Sequence, residues 1–230
     1  MMRSLHYAPI AGGLVLALTG CGGDGGGIGG PNLNVAAIEV FAGDAQSEPR
    51  GSQLGQALVV KATDDQGDPV SGVTVDWTVS SGSGLLSSSS SQTNSRGEAS
   101  VNFTLSLLPG QSTVTASVSG VTQEASFTAN ATDPGPITVT VDMSGIAFRA
   151  PLGGDDITIK LGDTVEWVNR DGVAHTATST SSPAGGASFD SSLLGTGGSF
   201  SFTPAVVGTW VYFCEVHPAQ MRDARITVVQ

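Results

Sequence analysis

The chain has 230 residues, with 20 acidic against 9 basic side chains and a formal charge of −11 at pH 7. That balance argues against a nucleic-acid partner, since neutralising phosphates takes basic patches, and its plain consequence is solubility. With 32 glycines, much Ser, Thr and Val, and no long apolar period of 3.6 residues, the sequence sets aside a helical architecture. Short alternating runs recur instead, and the reading is all-β, with length for one large domain or two small ones.

The first element is a leader. "MMRSLHYAPIAGGLVLALTGC" opens with Arg3 and carries an apolar run from about Ala8 to Leu18, too short to span a bilayer. Leu18-Thr19-Gly20-Cys21 resembles the lipobox of bacterial lipoprotein signal peptides. The resemblance implies that residues 1–20 are a signal peptide, cut before Cys21, whose thiol is then lipidated. Gly22 in place of Asp leans toward the outer membrane of a Gram-negative host. Residues 21–33, with "GGDGGGIGGPN", cannot bury apolar surface and read as a flexible tether.

Residues 34–132 read as strands joined by turns: "ALVVKATD", "VTVDWTV", "RGEASVNFTLS", "STVTASVSG" and "QEASFTAN". With the turn glycines Gly67, Gly72 and Gly97 and Pro69 in order, this stretch resembles bacterial immunoglobulin-like domains of the invasin and intimin type. It holds no Cys, His or Met. Asp64, Asp65 and Asp68 lack the ligand spacing of a calcium loop and read as a solvated turn. "SGSGLLSSSSSQTNS" reads as a low-complexity loop, and the stretch as a whole as a spacer or contact module.

"NATDPGP", residues 130–136, breaks the pattern with two prolines and a glycine, and the domain boundary is placed there. In residues 133–230 strands resume as "DITIKLG", "DTVEWVN", "AHTATST", "GSFSFTP", "GTWVYF" and "ARITVV". The expected fold is thus two tandem β-sandwiches. His175 falls after a turn at a strand start, and Cys214 at a strand end, so residues 214–223 link two adjacent strands.

That link, "CEVHPAQM", concentrates scarce chemistry. The only other cysteine is Cys21, and the third histidine, His6, lies in the leader. A thiolate at Cys214, imidazoles at His217 and His175 and a nearby thioether form the donor set of a trigonal His₂Cys blue-copper site with a weak axial sulfur. Thiolate and imidazole suit both Cu(I) and Cu(II), so little rearrangement accompanies the electron.

"ITIKLGDTVEWVNRDGVAHTATS" and "GTWVYFCEVHPAQMRDARITV" resemble the two signature segments of the plastocyanin/azurin family of cupredoxins, nearest its amicyanin-type members. The resemblance covers residues 137–230. It implies a Greek-key cupredoxin sandwich binding one type 1 copper, with His175, Cys214 and His217 as strong ligands. Amicyanin-type loops place the axial Met where Gln220 stands here, while Met221 has azurin-like spacing; Met221 is the expected axial ligand, with Gln220 as the alternative. Asn169 is expected to tie the His175 segment to the cysteine loop by hydrogen bonds. Met143 reads as core. The implied function is electron transfer, not enzyme catalysis, with a redox protein partner such as a c-type cytochrome or a periplasmic oxidoreductase.

Zinc is the competing metal, but no carboxylate pattern supplies the general base of a zinc enzyme. Two histidines are too few for a multicopper oxidase. Copper delivery, or surface adhesion through the immunoglobulin-like half, are the alternative functions. The implied location is the bacterial cell envelope.

Overall fold

Leu58, Val60 and Ala62 are buried while Val59, Lys61 and Thr63 between them are half-buried, the period of two that lays one face of a strand on a core. The computed structural model describes residues 34–230; the leader, the tether and the expected lipidation site at Cys21 lie outside the described residues. The described residues form one compact unit.

The first sandwich comprises β1 (Ala37–Ala42), β2 (Gln46–Pro49), β3 (Leu58–Thr63), β4 (Thr74–Ser81), β5 (Gly84–Leu86), β6 (Ser90–Gln92), β7 (Glu98–Val101), β8 (Phe103–Leu105), β9 (Gly110–Ser117) and β10 (Ala125–Thr132). The sheet β1-β3-β7 and the sheet β2-β10-β9-β4-β6 enclose Ile38, Leu58, Val75, Trp77, Phe103 and Phe127, with a β5-β8 pair at the side. The Ser-rich stretch expected as a loop contains β5 and β6. At β6 no apolar face is needed: Trp77 N–H donates to Ser89 O at 2.9 Å in backbone pairing, and the Trp77 indole N–H adds a side-chain bond to Ser91 Oγ at 2.8 Å, while β5 pairs with β8 and packs Leu86 against the core. Asp64, as expected, organises a turn, its Oδ1 accepting from the amides of Gln66 and Asp68.

The second sandwich comprises β11 (Thr138–Met143), β12 (Phe148–Arg149), β13 (Ile157–Lys160), β14 (Thr164–Asn169), β15 (Thr178–Ser181), β16 (Ser199–Phe202), β17 (Gly208–Phe213) and β18 (Ala224–Val229). The sheets run β12-β11-β14-β16 and β13-β18-β17-β15. Parallel pairing of β11 with β14 and of β13 with β18 carries the chain between the two layers. The strand β11, absent from the sequence reading, follows the Pro-rich joint directly and sits inside its sheet. Trp167 lies at the centre of the core, its ring centroid 5.0 Å from Phe189 and 5.3 Å from Tyr212; Met143 is fully buried in the same cluster.

The joint between the sandwiches is built, not bare. Leu107, from the β8–β9 connection, packs into the second core. Arg50, just after β2, is buried and uses all five of its N–H donors. Two go to Asp163 (2.6 and 2.7 Å), and one each to Leu107 O (2.9 Å), Gly135 O (2.7 Å) and Asp133 Oδ1 (3.2 Å). Asp163 accepts in addition from the amides of Ile137 (3.0 Å) and Lys160 (2.9 Å), so neither charge is left without partners.

Candidate metal centre

Two segments deliver the donors to one end of the second sandwich. Cys214 follows β17 directly, and the antiparallel β17–β18 pair closes the loop beneath it: Cys214 N–H donates to Met221 O at 2.9 Å, and Met221 N–H to His217 O at 3.0 Å. His175 sits in the connection from β14 to β15. It is pinned to Leu194 by two backbone hydrogen bonds, 3.1 Å from its own amide and 2.8 Å to its carbonyl. The regular strand begins only at Thr178, three residues later than expected, because residues 175–177 pair with the 189–194 segment rather than with β17.

His175 Nδ1 stands 3.7 Å from Cys214 Sγ, His217 Nδ1 stands 3.8 Å from it, and the two Nδ1 atoms are 3.2 Å apart. Three donors spread trigonally around one ion, with metal–N and metal–S lengths of about 2.0 and 2.3 Å, stand about 3.5–3.8 Å apart. The observed triangle is therefore close to the size a bound ion requires. His175 and Cys214 are fully buried and His217 is half-buried. Met221 is buried in the core cluster that includes Cys214, whereas Gln220 is exposed.

His175 Nε2 lies 2.8 Å from Asp171 Oδ2. A carboxylate there accepts a proton-bearing nitrogen, so Nε2 carries the hydrogen and the Nδ1 lone pair faces Cys214 and His217. The amides of Ile146 and Gly145 also donate to this carboxylate (3.0 and 2.7 Å), and they first of all pull its pKa down to about 2.

Asn169 is fully buried, but it does a different job from the one expected. Its Nδ2 donates to Val173 O (2.8 Å) and Leu194 O (2.9 Å), and its Oδ1 accepts from the Asp171 amide (2.8 Å). It shapes the turn before His175 and does not reach the cysteine loop. Thr176 makes that tie: its amide donates to Cys214 Sγ at 3.3 Å, and its Oγ1 accepts from the Glu215 amide at 2.8 Å. The sequence signal for Thr176 was a hydroxyl next to a ligand-type histidine, and for Asp171 an acid four residues before it. Asp171 backs the imidazole rather than offering a general base in the way of a zinc hydrolase.

Fold and donor set together define a cupredoxin. Residues 137–229 match the copper-binding proteins of the plastocyanin/azurin family, and residues 53–132 match the bacterial Ig-like domain (group 1). The chain thus carries a cupredoxin domain of the plastocyanin/azurin family behind a bacterial Ig-like domain, and copper is the metal that this family binds. Amicyanin from Paracoccus denitrificans is 28% identical over 80 residues, 35% of this chain and 58% of that relative. The chain therefore spans less than two thirds of the relative's length. Similar solved structures include a methionine-to-alanine variant of amicyanin with Cu(I), at 24% identity and TM-score 0.35, covering 40% of this chain and 82% of that one. Another is a reduced tryptophan-to-tyrosine variant of amicyanin, at 23% identity and TM-score 0.35, with the same coverages.

Proposed function

We propose that the chain is a blue-copper electron carrier, lipid-anchored at Cys21 in the bacterial cell envelope. His175, Cys214 and His217 hold the metal, and Met221 is the axial donor. The observation that carries this reading is the convergence of two imidazole nitrogens and one sulfur in a triangle 3.2–3.8 Å on a side. Copper supplies the one-electron couple, Cu(I)/Cu(II). The chain does the rest. Burial of His175, Cys214 and Met221 excludes water, and the fixed loop limits rearrangement when charge changes. His217, half-buried, gives the electron its exit edge. Exposed apolar side chains flank both histidine segments, Val173 before His175 and Val216 beside His217, a face suited to brief docking of a redox protein such as a c-type cytochrome or a periplasmic oxidoreductase.

Voltammetry of the full chain loaded with one copper tests the function. A reversible one-electron couple, with fast reduction and reoxidation by small redox proteins, is the expected result; a metal that cannot be cycled sinks it.

The axial choice has its own consequence. Met221→Leu keeps the buried volume, at a cost under about 1.5 kcal/mol, but removes the thioether. The reduction potential is expected to rise by more than about 59 mV, one tenfold step for one electron. Gln220→Ala, at an exposed position, should leave it in place. The reverse pattern would transfer the axial role to Gln220.

A further inference from the structure

We propose that Asp171 is a positioning residue of the copper centre: the β11–β12 turn sets its carboxylate to hold the His175 ring and to favour the oxidised metal. The inference rests on the copper reading above and adds to it a residue outside the ligand set.

The geometry is specific at each step. His175 is fully buried, and Asp171 Oδ2 is the hydrogen-bond partner of its Nε2, at 2.8 Å. Asp171 is itself held from several directions. Its amide donates to Asn169 Oδ1 at 2.8 Å, and its carbonyl accepts from Thr196 Oγ1 at 2.8 Å. Its carboxylate accepts from Gly145 N–H at 2.7 Å through Oδ1 and from Ile146 N–H at 3.0 Å through Oδ2.

Those two amides come from a turn with an unusual residue. Ser144 N–H donates to Ala147 O at 3.0 Å, closing a two-residue hairpin turn in which Gly145 has φ +63° and Ile146 φ +54°. A left-handed hairpin turn of this kind takes Gly readily, but a β-branched residue adopts such a φ only at a cost. Strain of that sort persists where the surroundings impose it, and it concentrates at functional sites. Here the conformation aims two successive amides at one carboxylate, a small anion-binding nest. The nest holds the Asp171 carboxylate in place behind the imidazole. A negative charge hydrogen-bonded to Nε2–H makes the ring a stronger donor, which stabilises Cu(II) more than Cu(I). Asp171 therefore lowers the potential of the site, whereas a residue that only held the loop would affect stability and not potential.

The test uses the full chain with one equivalent of copper. Asp171→Asn keeps an oxygen for Nε2–H and loses the charge. The expected result is a retained blue band and an affinity ratio of Cu(II) over Cu(I) that falls about tenfold, which is about 59 mV of potential. Asp171→Glu should recover most of that shift. An intact blue band with an unmoved potential in Asp171→Asn would overturn the role of Asp171 and leave the copper reading standing. Wild-type protein that takes up no copper would overturn that reading and the inference together. Should Asp171→Asn fail to fold, nitrogen-15 NMR of the wild-type Cu(I) protein decides. A His175 Nε2–H shifted downfield and protected from exchange supports the inference, and an Nε2–H at an ordinary shift in fast exchange with solvent contradicts it while leaving the copper reading standing.

Discussion

Arg50→Met is expected to destabilise the folded chain by about 3–5 kcal/mol, because it leaves Asp163 as a buried charge without a counter-charge, held only by the amides of Ile137 and Lys160. The Asp163 side chain has no exposed surface, and its two strongest contacts are the guanidinium bonds at 2.6 and 2.7 Å. The double variant Arg50→Met/Asp163→Leu removes both charges and should recover most of the loss. Urea unfolding of the full chain measures both. Equal losses in the single and double variants would show that packing, not charge, carries the joint. Burial works against the charge on Asp163, but Arg50 and the amides of Ile137 and Lys160 outweigh it and hold its pKa below the ordinary carboxylate value. The sign follows. The stabilisation is whole above the unfolded aspartate value of about 3.9 and fades as pH falls through the lower folded value. The gap between wild type and Arg50→Met should therefore narrow below about pH 4. Asp133, pulled down to about 2 by Lys160 first and then by the Gly135 amide, adds to the same acid sensitivity.

Cys214→Ser carries the other large effect, on the site rather than on the fold. The substitution is nearly isosteric at a fully buried position, so stability should change by about 1 kcal/mol. A serine hydroxyl does not supply a thiolate, however, and thiolate-to-copper charge transfer is the source of intense visible colour. The variant should be colourless with Cu(II), and the thermal melt should show it still folded. A blue Cys214→Ser protein would mean that the colour arises elsewhere and that the triangle of donors is incidental.

How much of this was legible in the sequence differs from residue to residue. Cys214, His217 and Met221 share one short loop between two strongly alternating strands, so their convergence needed only the hairpin. His175 needed more, since it lies 39 residues before Cys214; the resemblance of its segment to the cupredoxin signature supplied the link. The strand β11 was missed because "TVTVDM" follows a Pro-Gly-Pro joint, where turn chemistry masked an alternation that does bury Val139, Val141 and Met143. The strand β6 is hidden because serine shows no apolar period, and β5 because it is only Gly84-Leu85-Leu86, too short to show an alternation although Leu86 packs on the core. Asn169 was assigned the wrong partners for a related reason. A sequence shows that an amide side chain stands near a ligand, but only the folded turn shows that its reach ends at Val173 and Leu194. Arg50 and Asp163 were not legible as a pair. They come from different sandwiches, and nothing local marks either one as buried.

A type 1 copper centre is open to a decisive measurement: visible absorption with electron paramagnetic resonance on the full chain after one equivalent of Cu(II). The expected result is an intense blue or green thiolate band with a narrow copper hyperfine splitting, bleached by a mild reductant and restored on reoxidation. A colourless protein that takes up zinc, or no metal, would contradict it.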